Sequence, residues 1–121
     1  MAINKQAVTI LAASNVPAGT TAAAPVAGAA VDVRVFAGGE WAYKVTNGAS
    51  APTVPATLVL QTSHDGTKWY DYFMVGGATG ANGVSSGSVA MSAGVMYARV
   101  IAYGNTTNAV TVESYLQAKV G

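Results

Sequence analysis

The sequence of 121 residues predicts an all-β fold: a single antiparallel β-sandwich (jelly-roll or immunoglobulin-like) of seven to eight strands with an extended N-terminal arm. Val, Thr, Tyr and Ala are abundant, and 14 glycines separate short apolar runs, with turn signals about every 8 to 12 residues. No segment sustains a helical period of apolar residues. This length is enough for one domain to close its own hydrophobic core, although the chain has no cysteine and hence no disulfide.

Residues 1–30 are predicted to form an N-terminal strand and extended arm, and residues 31–121 the sandwich, as one domain overall. Residues 6–13 alternate enough for a half-buried strand. The arm contains Pro17 and Pro25, which have no backbone N–H to donate, so any pairing there lies at a sheet edge. Such an arm hardly packs on itself, and we expect a neighbouring subunit to hold it in place.

Two alternating segments are expected to pair as a first hairpin. Residues 31–35 place three valines on one face, and residues 41–45 repeat the alternation with two aromatic rings on one side. The pair Gly38-Gly39 between them predicts the turn.

The clearest signal is the segment 56–75, two strand-like runs joined at Asp65-Gly66. A two-residue turn gives faces of mixed polarity, whereas a three-residue loop that starts at His64, with Gly66 left-handed in a bulge, separates the faces better. We therefore expect the second register, with the Asp65 side chain accepting turn amides. One face then carries Leu58, Leu60, Tyr70, Tyr72 and Met74, and the other carries Val59, Gln61, Trp69, Asp71 and Phe73.

Three more strands are predicted, over residues 86–92, 95–103 and 110–118. The middle one is apolar on both faces except for Arg99, so it belongs in the centre of the sandwich. We expect Arg99 to pair with Asp71 or Glu113, or to reach the rim with its stem buried.

Charged residues are scarce in this chain. Asp, Glu, Lys and Arg make up 9% of it, against about 25% in ordinary soluble domains. Either neighbours in an assembly cover much of the surface, which we favour, or a coat of Thr, Ser and Gly keeps the domain in water. A net charge of +1 from scattered side chains gives no case for nucleic acid. No stretch reaches the roughly 18 apolar residues of a membrane span, so no membrane partner is expected.

No residue set points to catalysis, a metal or a cofactor, so we do not expect an enzyme. His64 is the only histidine and cysteine is absent, which leaves no metal ligand set and no catalytic pair with an orienting group. The glycines of residues 76–83 lack the spacing and the following helix of a nucleotide site, and they predict a flexible connector. Asn105-Thr106-Thr107 fits a glycosylation sequon, which matters only in a secreted eukaryotic chain.

The residues expected at an interface are Val59, Trp69, Phe73, Pro17 and Pro25. Trp69 and Phe73 either form core against a second sheet or offer an aromatic contact to a partner or a sugar. Asp65 and Gly66 are expected to have a structural role in the turn.

Residues 62–69, Thr-Ser-His-Asp-Gly-Thr-Lys-Trp, and residues 97–101, Tyr-Ala-Arg-Val-Ile, carry a resemblance to two groups. The Ser-x-Asp-Gly-x-x-Trp turn and the aromatic-x-Arg-apolar strand look like small β-sandwich domains of the discoidin or carbohydrate-binding type. The same hairpin also recurs in small structural proteins of tailed bacteriophages. With its charge-poor, cysteine-free and Ala/Gly/Thr-rich composition, the chain more closely resembles a phage capsid decoration (cement) protein.

That resemblance implies a non-enzymatic virion structural protein on the capsid surface. It implies binding to the major capsid protein, as a homotrimer at threefold positions, and stabilisation of the phage head. Deletion of residues 1–24 would then weaken attachment and leave the sandwich folded. The alternatives are a carbohydrate-binding or adhesin module with Trp69 or Tyr43 as a stacking platform, and another virion part such as a tail or head-completion protein.

Overall fold

The computed structural model describes residues 4–120, which form nine strands and no helix. In chain order the strands are β1 (Asn4–Val16), β2 (Val26–Ala27), β3 (Val31–Asp32), β4 (Phe36–Asn47), β5 (Thr57–Ser63), β6 (Tyr70–Gly76), β7 (Val84–Met91), β8 (Tyr97–Tyr103) and β9 (Val110–Val120). A helix that could cross a membrane is therefore absent from this part of the chain.

Two antiparallel sheets pack face to face as a sandwich. Sheet I has the strand order β1-β9-β4-β7, and sheet II has the order β2-β8-β5-β6, with β3 also paired to β8. The pairs β1 with β9, β2 and β3 with β8, β4 with β7, and β5 with β6 are nested within one another. This nesting is that of one long hairpin rolled into two sheets, which is a jelly roll. The predicted β-sandwich is confirmed, with jelly-roll and not immunoglobulin-like topology.

The core lies between the inner faces of the sheets. Its largest fully buried side chains are Trp41 of β4, Leu58 and Leu60 of β5, and Leu116 of β9. The indole Nε1 of Trp41 donates a 2.8 Å hydrogen bond to the hydroxyl of Ser114, so the ring is buried without an unsatisfied donor. Both sheets therefore depend on one shared core.

The predicted first strand, residues 6–13, lies within β1, and the segment predicted as an arm after it contacts the sandwich itself. β1 pairs with β9 along its length, and its last residue, Val16, is fully buried. The Gly19 N–H donates to the Asn105 carbonyl at 2.8 Å, and β2 forms an edge of sheet II directly after Pro25. The domain's own strands thus hold the segment, and removal of residues 1–24 would remove one strand of sheet I, contrary to expectation.

The hairpin predicted within residues 31–47 does not form. β3 pairs with β8, whereas β4 pairs with β7 and β9. Gly38 and Gly39 lie inside β4, with φ of +77° and +155°, and a Cβ at Gly39 would collide with the Gln117 carbonyl of β9. The two glycines therefore permit a close approach of strands at a bulge, and the chain does not reverse there.

The central hairpin, β5 and β6, has a register different from the one predicted. Leu60 lies opposite Phe73 and Gln61 lies opposite Asp71, which leaves Tyr72 as the extra residue of a bulge. The expected pairing of the β5 leucines with tyrosines is therefore wrong. A bulge adds one residue to one strand of a pair. Because side chains alternate between the two faces of a sheet, residues beyond the bulge lie on the face opposite to the one that unbroken alternation predicts.

This bulge exchanges the faces of two side chains. Phe73 packs against the core, where the preferred register had placed Met74. Met74 lies on the outer face of sheet II opposite Val59. The residues before the bulge, including Asp71, keep their predicted faces.

Two buried asparagines fix loops that the sequence left undefined. Asn47 Nδ2 donates to the Ala78 carbonyl at 2.8 Å, so the glycine-rich segment that follows β6 is tied to the end of β4. Asn105, which is 0% exposed, donates from Nδ2 to the Val16 carbonyl at 3.0 Å. The sequon asparagine is thus a structural residue, and the folded domain does not present it for glycosylation.

Candidate interaction surface

The outer face of sheet II carries an apolar row that is separate from the core. Val59 of β5 lies opposite Ile101 of β8 and opposite Met74 of β6. Val59 is 1% and Ile101 is 8% exposed, while Met74 is 54% exposed. None of the three belongs to the core between the sheets. Val59 and Ile101 are therefore buried within the domain, and Met74 is the member of the row that offers apolar area to another molecule.

A polar network lies beside this row. Arg99 Nε donates to Gln61 Oε1 at 2.8 Å, and Gln61 Nε2 donates to Asp71 Oδ1 at 3.0 Å. The guanidinium carbon of Arg99 lies 4.4 Å from the centroid of the Trp69 ring, within the range of a cation–π contact. Of the alternatives expected for Arg99, the direct pair with Asp71 does not form, because the amide of Gln61 lies between the two side chains.

The guanidinium of Arg99 keeps most of its donors free. Among residues 4–120 it has no carboxylate within salt-bridge distance, and its Nε is the atom bonded to protein. Partial burial lowers the pKa of Arg99 from its ordinary value, because desolvation disfavours the charged form. Arginine has five N–H donors, so this group can receive carbonyl or carboxylate oxygens from a partner.

The turn between β5 and β6 positions Trp69. Asp65 Oδ1 accepts the backbone N–H groups of Thr67 and Lys68, both at 2.9 Å. The Lys68 amide, followed by that of Thr67, holds the pKa of Asp65 well below its usual range. Gly66 has a φ of +81°, a conformation that glycine adopts without strain. Trp69 comes directly after Lys68, so its position depends on the backbone geometry of this turn.

A second arginine–aromatic contact lies at the end of the same face. Tyr97 precedes the buried Ala98 on β8, and its ring centroid lies 5.1 Å from the guanidinium carbon of Arg34. Arg34 also forms two hydrogen bonds with the Asp32 carboxylate, at 3.0 and 2.7 Å. These bonds lower the pKa of Asp32 to about 2. The outer face of sheet II thus combines apolar, aromatic and cationic groups.

We refer to this surface as the Trp69 face. Its residues come from β5, β6, β8 and the turn before β6, and they are Val59, Gln61, Trp69, Asp71, Met74, Tyr97, Arg99 and Ile101.

The residues predicted at an interface are not all on this surface. Val59 and Trp69 are on the Trp69 face, whereas Phe73 faces the core and packs 5.8 Å from the ring of Tyr43. Pro17 and Pro25 lie in the segment between β1 and β2, with Pro17 exposed. The sequence could have indicated Ile101, Arg99 and Tyr97, because they alternate with the small buried residues of β8.

The outer face of sheet I carries side chains of a different chemistry from those of the Trp69 face. We refer to it as the Tyr115 face, and it has a shallow depression of about 430 Å³. The depression is lined mainly by polar side chains, among them Lys44, Ser86, Ser88, Glu113, Tyr115 and Gln117. Tyr115 is 40% exposed, and partial burial, together with Glu113, raises the pKa of its hydroxyl.

A third concave surface lies at the sandwich edge, between the turn that follows β5 and the loop that follows β7. It has a volume of about 420 Å³ and its lining includes His64, Tyr70, Tyr72 and Ser92. The Tyr72 hydroxyl accepts the Ser92 N–H at 3.1 Å, so the tyrosine joins the edges of the two sheets. His64 is exposed, and no group of three potential metal ligands occurs within residues 4–120.

No protein-family model matches the sequence, and no curated protein matches it. Solved structures share its fold at low sequence identity. The SPBc2 prophage-derived protein YomS is 15% identical, over 96% of this chain and 95% of that chain, with a TM-score of 0.51. The K3 cleaved adhesin domain of Lys-gingipain from Porphyromonas gingivalis w83 is 11% identical, over 93% and 94%, with a TM-score of 0.54.

A third similar structure is that of the infectious bursal disease virus Gx strain. It is 9% identical, over 98% of this chain and 32% of that chain, with a TM-score of 0.53. At these identities the three comparisons establish a shared β-sandwich fold.

Proposed function

We propose that this protein is a non-enzymatic virion structural protein, a capsid decoration protein that binds the outer shell of a phage head through the Trp69 face. The observation that carries the proposal is the Trp69–Arg99 stack on the same outer face as the exposed side chain of Met74. Tryptophan and arginine are the residues most often found at the energetic centre of protein interfaces. The partner is the major capsid protein, whose carbonyl or carboxylate oxygens would receive the free donors of Arg99.

Two further observations support the proposal. The chain has 9% charged residues, as expected if neighbouring molecules cover much of its surface. Its fold is also that of a prophage-derived protein and of part of a viral structure, which agrees with the resemblance in the central hairpin. The resemblance further implies homotrimers at threefold positions of the shell.

Co-sedimentation with shells of the major capsid protein from the same phage tests the proposal. The Trp69→Ala variant removes the ring beneath Arg99, and we expect its affinity for shells to fall at least tenfold, since central interface aromatics contribute about 2 kcal/mol or more. Tyr115→Ala is the matched control, because it removes a partly exposed ring from the opposite face, and it should bind as the wild type does.

Equal binding of the two variants would overturn the Trp69 face as the docking surface. Binding of the wild type to isolated tails, with none to shells, would instead assign the protein to another part of the virion.

A carbohydrate-binding or adhesin module is the second candidate, and the depression on the Tyr115 face favours it. An exposed ring flanked by amide, hydroxyl and charged groups is the combination that binds a sugar by stacking and hydrogen bonds. Tyr43 is not available for this role, because its ring packs against Phe73. A glycan array would test this candidate: a signal lost in Tyr115→Ala and kept in Trp69→Ala supports it, and no signal removes it.

A further inference from the structure

Within residues 4–120 the sandwich has five edge strands, because β2 and β3 both lie along the outer side of β8, and four of the five carry features that hinder pairing with another strand. β1 is interrupted by two irregularities, on either side of Leu11. β2 has two residues and directly follows Pro25. β3 has two residues, one of which is the charged Asp32. β6 has the bulge at Tyr72 and the charge of Asp71. Bulges, prolines, charges and short length are the usual protection of a sheet edge.

β7 has none of these features. It pairs with β4 in unbroken register from Val84 opposite Thr46 to Met91 opposite Gly39. Its eight residues, Val-Ser-Ser-Gly-Ser-Val-Ala-Met, include no proline and no charged side chain. A regular and uncharged edge of this kind is a template for another strand.

The hydrogen bonds at the two ends of β7 show which backbone groups point outward. At one end, the Asn47 N–H of β4 donates to the Gly83 carbonyl at 2.9 Å, so odd-numbered residues of β7 bond to β4, because partners in an antiparallel ladder alternate. At the other end, the Tyr72 hydroxyl reaches the Ala90 carbonyl from outside sheet I at 2.8 Å. Even-numbered residues therefore direct their N–H and carbonyl groups away from the sheet.

Val84, Ser86 and Ser88 have outward backbone groups that are open to a partner. All three residues are exposed, and within residues 4–120 the partner strand of β7 is β4. The Ala90 carbonyl is already occupied by Tyr72. The available edge is thus the segment 84–88, with Ser86 at its centre.

We infer that this edge binds the β7 strand of a second copy of the chain, in antiparallel orientation about a twofold axis at Ser86. Ser86 then lies opposite Ser86 of the second copy, and Val84 lies opposite Ser88. Each of these residues exchanges its N–H and carbonyl with the residue opposite, and sheet I continues across the two molecules. A second copy fits because the facing side chains are small and uncharged, so identical strands meet without like charges opposite each other.

This contact is independent of the proposed docking of the Trp69 face. It is isologous and twofold, whereas the expected trimer is threefold. On a decorated shell it would therefore join copies that stand around different threefold positions.

A single introduced cysteine tests the register, because the chain contains no other. In the inferred pair the two Ser86 Cα atoms are about 5.5 Å apart, within the range that a disulfide spans. Under mild oxidation, Ser86→Cys should become mostly a covalent dimer on a non-reducing gel. Ser88→Cys is the matched control: its two copies lie roughly 13 Å apart along the strands, and it should stay mostly monomeric.

A second variant tests the hydrogen bonds. Ser88→Pro removes an N–H that points away from the sheet, so the ladder with β4 stays intact and circular dichroism should be unchanged. Sedimentation should show a dimeric wild-type protein and loss of the dimer in this variant. A wild type that stays monomeric at every concentration, or equal cross-linking of the Ser86 and Ser88 cysteines, would overturn the inference.

Discussion

The two outer faces of the sandwich show how one fold presents two kinds of surface. The Tyr115 face carries hydroxyl, amide and charged side chains beside its exposed ring, and water solvates these polar groups well. The Trp69 face places the buried Val59 and Ile101 outside the core and fixes a cation against an aromatic ring. Because both faces share one core, their difference is a difference in surface chemistry. This difference is the reason that we propose the Trp69 face as the docking surface.

We expect the largest loss of stability from a substitution in the core that supports both faces. Trp41→Ala deletes the largest fully buried side chain and leaves Ser114 without its indole donor. We expect a loss of about 3–5 kcal/mol in the free energy of unfolding, measured by urea denaturation. Trp41→Phe keeps most of the volume and should lose less. Similar stability of the Ala variant and the wild type would contradict a shared core.

A charged side chain introduced on the Trp69 face should weaken shell binding, whereas one introduced on the Tyr115 face should not. Met74→Asp places a carboxylate beside Val59 on the Trp69 face, and burying it against a partner costs free energy. We expect shell affinity to fall about tenfold or more, as for loss of an interface anchor, with a near-normal melting temperature. Gln117→Asp, an exposed change on the Tyr115 face, is the control and should bind normally. Equal losses in the two variants would remove the distinction between the faces.

A smaller effect is expected from replacing the cation without removing its charge. In Arg99→Lys the ammonium keeps the charge but lacks the planar group that stacks on Trp69 and donates to Gln61. We expect shell affinity to fall about three- to tenfold, near the 1 kcal/mol of one cation–π contact. Isothermal titration with the major capsid protein would measure it. Lys44→Arg on the opposite face keeps the charge in the same way and should have no effect.

The acid dependence of stability should reveal the turn that positions Trp69. The folded pKa of Asp65 is depressed by backbone amides, so its stabilisation is present above the ordinary value of 3.8 and is lost as the pH falls below it. The stabilisation by Asp32 is lost in acid in the same way, because its folded pKa is about 2. Urea midpoints should therefore decrease from pH 4 towards pH 2.

Asp65→Asn should be less stable than the wild type at pH 7 and should show a shallower decrease with acid. Asp32→Asn is the comparison, because it removes the other depressed carboxylate and leaves the turn intact. An unchanged acid profile in Asp65→Asn would mean that this carboxylate does not stabilise the turn.

Alternation along single strands predicted much of this structure. It assigned Leu58 and Leu60 to one face and Val59 to the other, and it marked the strand around Arg99 as central. These assignments need only the two-residue period of a strand. The β-sandwich fold class was predicted from the spacing of turns along the chain, without knowledge of which strands pair.

Strand pairing could not be read from the sequence in the same way. The bulge at Tyr72 reverses the faces of Phe73 and Met74, and nothing in the local pattern distinguishes a bulge from a shorter turn. Gly38 and Gly39 have the composition of a turn, but they permit close contacts of β4, Gly38 with the end of β7 at Met91 and Gly39 with β9 at Gln117. The Trp69–Arg99 stack joins residues thirty positions apart, so it depends on the pairing of β8 with β5 beside β6.

The most direct test of the docking proposal is a cryo-electron microscopy reconstruction of shells decorated with this protein, at a resolution that places individual strands. We expect β5, β6 and β8 to lie against the major capsid protein, with density for Trp69 and Arg99 at the contact and the Tyr115 face towards solvent. A reconstruction with β4 and β9 against the shell, or with Trp69 in solvent, would contradict this account.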